Sequence, residues 1–136
     1  MPKPLTNSQL QKLSAGLSSL DGLRTAPDQF EPFIFDADTT WNLALNHTII
    51  AGSMEVFDRA KKTLAVQYGI TDRMTVTKEN AEQVNAFVAG LDVLLTKEVS
   101  VDGLQKIERA KLNIGSGKGQ NKIPVSVIGN LMLILE

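Results

Sequence analysis

His47 is the only histidine of this chain, and no cysteine accompanies it. General-base work by an imidazole needs a nucleophile within reach or a carboxylate to orient the ring. Asp36 and Asp38 lie about two helical turns or more upstream, too far to orient His47 or to complete a metal site with it. The ring falls between Leu43 and Ile50 on an apolar stripe. It is therefore expected as a core or interface residue with a satisfied hydrogen bond, not as a catalyst. The absence of cysteine removes disulfides and thiolate zinc sites and leaves the redox compartment open.

Gly115-Ser116-Gly117-Lys118-Gly119-Gln120-Asn121 is the nearest approach to a phosphate cradle. A P-loop needs Gly-Lys followed by Ser or Thr, whose hydroxyl binds magnesium. Here Gly119 follows Lys118, so residues 115–122 read as a flexible Gly/Lys loop. Asn46-His47-Thr48 matches a glycosylation acceptor but falls inside a helix pattern in a chain expected to lack a signal peptide, so the match is read as chance. No cofactor and no metal are expected, and the chain reads as non-catalytic.

The residues best suited to contact a partner are aromatic. Phe30, Phe33, Phe35 and Trp41 lie within a dozen positions. Such rings either plug a gap between helices and a small sheet or form a hot spot for another protein.

Positioning these residues falls to one long segment, Asp38 to Tyr68. Leu43, His47, Ile50, Met54, Phe57, Lys61, Leu64 and Tyr68 recur three or four apart, the period of a helix face. Trp41, Leu45, Thr48, Gly52 and Val56 form a second stripe beside the first. Asp38 or Thr39 is expected as the N-cap, and Gly69-Ile70 fits a Schellman close. At 1.5 Å per residue the helix would be about 45 Å long, longer than the other elements can cover.

Thr6 to Gln9 fits a capping box and starts a short helix over about 7–20, with Gly22 as a left-handed stop. Phe33 to Phe35, between Pro32 and the long helix, is expected to be extended. Thr77 is expected to cap a third helix with Ala81, Val84, Val88, Leu91 and Leu95 on its inner face, forming an antiparallel hairpin with the long helix. Asp102-Gly103 predicts a β-hairpin with strands near 98–101 and 104–109, and Phe33 to Phe35 as a possible third strand. Pro124 opens an apolar C-terminal segment, read as helix with a strand as the alternative, placing Val127, Ile128, Leu131, Ile134 and Leu135 inward. The expected class is α+β, mostly α: a single domain over 1–136 with a helical hairpin, a long central helix, a short N-terminal helix, a small antiparallel β-hairpin and a C-terminal apolar helix.

Fourteen basic and fifteen acidic residues leave a net charge of −1, which argues against nucleic acid. The signs are segregated. Residues 25–58 hold six acids and no base, whereas residues 103–135 hold Lys106, Arg109, Lys111, Lys118 and Lys122 against Glu108 alone. These are solvated faces, or they are complementary within the chain or between copies. No apolar run is long enough for a membrane span.

Leu5-Thr6-Asn7-Ser8-Gln9-Leu10, Thr40-Trp41-Asn42-Leu43-Ala44-Leu45-Asn46, Glu98-Val99-Ser100-Val101, and Ile123-Pro124 before an apolar segment ending in Glu136 occur in this order. The order resembles small uncharacterised proteins of tailed phages and prophages. The resemblance assigns no role to any residue. It implies a phage setting, in the cytoplasm of a host cell or in the virion, and a phage or host protein as partner. The expectation is a non-catalytic interaction or assembly protein working through helix-mediated contacts, as a homo-oligomer with a dimer first. The alternative is an accessory factor that binds a small ligand or inhibits a host defence enzyme.

Overall fold

The computed structural model describes residues 3–71 and 74–136. The order is β1 (Lys3–Thr6), α1 (Asn7–Ser18), β2 (Gly22–Ala26), β3 (Gln29–Pro32), α2 (Ala37–Gln67), α3 (Ala81–Thr96), β4 (Glu98–Val101) and α4 (Val125–Asn130). The fold is mixed α+β, with four α-helices and two antiparallel two-stranded sheets among the described residues.

The α1 helix begins where the sequence places it. The Thr6 hydroxyl accepts from the Gln9 amide at 3.1 Å, and the Gln9 side chain accepts from the Thr6 amide at 2.9 Å. The stop differs from expectation. A 3₁₀ turn over Ser19–Asp21 follows, and Gly22 is extended, not left-handed. Glycine is needed there for space, because a Cβ would come within 2.5 Å of the Glu31 carbonyl.

The core forms around α1. Leu10, Leu13 and Leu17 pack in one cluster with Leu43 and Ile50 of α2, with Val127 of α4 and with Leu131 just after it. Gly16 lets α1 and α4 close up, since a Cβ would lie 2.9 Å from Leu131. The C-terminal segment is less helical than expected. After six residues α4 gives way to a 3₁₀ turn at Met132–Ile134, and Leu135 bridges Ile107. Its expected apolar set still turns inward: Val127, Leu131, Ile134 and Leu135 are buried and Ile128 packs against them. β-branched residues and Gly129 make a long helix costly here.

The sheets are not the expected hairpin. Asp102-Gly103 turns the chain, with Gly103 at φ +88°, but residues 104–109 form no strand. β4 pairs instead with β1, in the register Lys3↔Val101, Pro4↔Ser100, Leu5↔Val99 and Thr6↔Glu98. Burial of Leu5 and Val101 over the same core decides the partner. The local hairpin is β2–β3, and its second strand ends at Pro32, just before the Phe33–Phe35 segment expected to be extended.

The α2 helix spans 31 residues. Its cap lies two residues before Asp38 and three before Thr39, the expected residues: Asp36 accepts from the Thr39 amide at 2.7 Å. Its end is the expected Schellman motif, with Gly69 at φ +67° and Ile70 donating to the Ala65 carbonyl at 2.8 Å. Leu43, Asn46, Ile50 and Phe57 form its buried face. α3 starts at Ala81, after Asn80 rather than Thr77. The Asn80 side chain turns back to the Thr77 amide and the Thr75 carbonyl. Gly90 of α3 lies against Leu64 of α2, and Gln83 donates to the Tyr68 carbonyl. No residue of α3 is buried; of its expected inner stripe Ala81, Val84, Leu91 and Leu95 are partly buried and Val88 is exposed. Among the described residues no helix is long and apolar enough to cross a membrane.

Candidate functional site

The outer face of α2 is the candidate site. It lies opposite the Leu43–Ile50–Phe57 side. Trp41, Leu45, Thr48, Gly52 and Val56 recur three or four apart and share this face. Trp41 is 70% exposed and Val56 67%. A Cβ built on Gly52 meets nothing within 4 Å. Trp41, Ala44, Leu45 and Thr48 enclose a shallow, almost wholly apolar depression of about 170 Å³, lined by α2 residues alone. The second stripe read from the sequence is therefore largely exposed, with Leu45 partly buried, and among the described residues only α2 lines its depression.

The four aromatic candidates do not form one cluster. Phe33 and Phe35 are half-buried against the core. Phe30 is 49% exposed on β3, with the Arg24 guanidinium 5.7 Å from its ring centre. Trp41 stands apart on α2. Asn121 produces this separation. Its amide accepts from the Ile34 N–H at 2.9 Å and donates to the Ile34 carbonyl at 2.8 Å. Ile34 is left 73% exposed, while Phe33 and Phe35 on either side pack against the core.

His47 is not a core residue. It is exposed, and its Nε2 lies 3.5 Å from the Ser18 hydroxyl. The buried position on that turn belongs to Asn46, which sequence reasoning passed over. Asn46 is fully buried, donates to the Gln105 carbonyl at 2.9 Å and accepts from the Gln105 amide at 2.7 Å. Its glycosylation match is thereby sterically closed. His47 rims a depression of about 220 Å³ with Leu17, Asp21, Phe35 and Leu43. Asp21 and His47 form no ion pair. A serine–histidine contact at 3.5 Å without an orienting acid is a poor nucleophile pair.

The segregated charges meet within the chain. Lys111 pairs with Asp36 at 3.5 Å and Lys122 with Glu31 at 3.8 Å, all exposed. Asp36, Asp38, Asn42, Lys106 and Lys111 line a polar cleft of about 170 Å³. The Asp36 carboxyl is held below its usual value, first by the Thr39 amide and further by Lys111. Among the described residues, no group of His, Asp and Glu side chains could hold a metal ion. The Gly/Lys loop turns its hydrogen bonds inward: the Gly117 amide donates to the Gln120 side chain and Asn113 to the Gly119 carbonyl.

An open cleft of about 670 Å³ lies at the far end of α2, between Val66–Gly69 and Glu79, Glu82 and Gln83. No family model, curated protein or solved structure matches the chain.

Proposed function

We propose that this chain is a non-catalytic interaction or assembly protein of phage type, working through helix-mediated protein contacts. One observation carries the reading. The only tryptophan projects from a helix, 70% exposed, beside Leu45 in an apolar patch that its own chain leaves open. Tryptophan is the residue most enriched at the energetic centres of protein interfaces. The depressions beside Trp41 and His47, about 170 and 220 Å³, are smaller than the roughly 300–1,000 Å³ of small-molecule sites. At these two depressions that difference favours a protein partner; the open cleft of about 670 Å³ at the far end of α2 is where the small-ligand alternative would place its ligand. The outer face of α2 is then presented to a partner because the opposite side, Leu43 and Ile50, docks on the core. The setting implied is a phage-infected or lysogenic cell.

The test is capture from such cells with wild type and Trp41→Asp side by side. Trp41 is exposed, so the variant folds. A protein retained by wild type and lost by the variant supports the reading. An identical retained set contradicts it.

A further inference from the structure

The face that carries Trp41 also carries charge at its two ends. Asp38 precedes Trp41 by three residues and Arg59 follows Val56 by three, so both extend the stripe. Both are exposed, and neither has an ion-pair partner among the described residues. The two ion pairs among the described residues use Asp36 and Glu31, off this helix face.

We propose that the occupant of this face is a second copy of the same chain, lying antiparallel along α2 about a two-fold axis between Thr48 and Ile49. The inference rests on the interaction reading above and names its partner. Three complementarities share that one centre. Asp38 of one copy faces Arg59 of the other. The indole of Trp41 faces Val56. Leu45 faces Gly52, the position where a side chain is missing and the space is open. A two-fold axis produces each pair twice, as isologous contacts require. A parallel pairing would set Asp38 against Asp38 and Arg59 against Arg59, and would leave the gap at Gly52 unfilled. Antiparallel helices also align opposite dipole ends. From Asp38 to Arg59 the seam is about 32 Å long, which two helices can cover with an area on the order of the 1,000 Å² that a specific contact needs. An unrelated partner has no reason to match acid, indole, gap and base in this symmetric order.

The test is sedimentation or light scattering on the full chain over a concentration series to tens of micromolar. Wild type is expected to give twice the chain mass. Trp41→Asp is expected to raise the dissociation constant at least about tenfold. Gly52→Gln does the same by blocking Leu45, while its helix propensity leaves the folded monomer intact. Asp38→Arg and Arg59→Asp each weaken association, and the double variant restores it, which a merely local effect on helix stability would not do. A monomeric mass for wild type overturns the proposal, as does a dimer that Trp41→Asp and Gly52→Gln leave unchanged. If the chain is monomeric and Trp41 is still required to capture another protein, the self-pairing fails and the interaction reading stands. If Trp41→Asp changes neither, both fail.

Discussion

Asn46 and Gln105 exchange two hydrogen bonds across 59 positions of sequence, from the Asn46 amide to the Gln105 backbone at 2.9 Å and back at 2.7 Å. The asparagine behaves as a piece of strand inserted into the buried face of a helix. It satisfies both backbone groups of a loop residue that has no strand of its own. Through it, α2 fixes the connection from β4 to the C-terminal segment.

Asn46→Leu is therefore expected to destabilise the fold, although it replaces a polar residue by an apolar one in the core. It leaves the Gln105 N–H and carbonyl without partners, at a cost of about 1–3 kcal/mol. Denaturant unfolding measures this directly. A neutral or stabilising outcome would show that water replaces the clamp.

Phe57 is 2% exposed, yet it lies outside the main core cluster, on the part of α2 that α3 accompanies. Phe57→Ala is expected to cost about 3–5 kcal/mol, the range for emptying a buried aromatic site. A loss below about 1 kcal/mol would mean that the α2–α3 arm folds without it.

Asp36 gives a pH signature. Its folded pKa lies below the ordinary value of 3.8, through the Thr39 amide first and Lys111 last. A depressed carboxylate contributes stability that is present above the unfolded value and lost as pH falls through the folded one. The stability gap between wild type and Asp36→Ala is thus expected to be full at neutral pH and to close as pH falls below about 4. Urea unfolding at several pH values checks this, and a gap independent of pH would refute the capping role.

The sequence carried two helix ends, the start of α1 and the end of α2, because those caps are local, whereas the stop of α1 and the starts of α2 and α3 fell at other residues. Thr6 with Gln9, and Gly69 with Ile70, are spelled out within a few residues. It misplaced the β-hairpin because Asp102-Gly103 is a true turn signal, while the partner of β4 lies at the opposite end of the chain. Only the shared burial of Leu5 and Val101 selects that pairing. The two stripes of α2 were legible as spacing. Which one is buried was not, since Trp41 and Val56 are as apolar as Leu43 and Ile50. Nor was the role of Asn46 and Asn121, whose amides bind the backbone of residues 59 and 87 positions away.

Single cysteines provide the most direct test that the outer face of α2 is a contact surface between copies, because the chain has none of its own. Thr48 lies beside the proposed two-fold axis and Val56 is about two turns away from it. Under mild oxidation Thr48→Cys is expected to form a covalent dimer, and Val56→Cys is not. Cross-linking of neither, or of both to the same extent, would contradict the antiparallel pairing along this face.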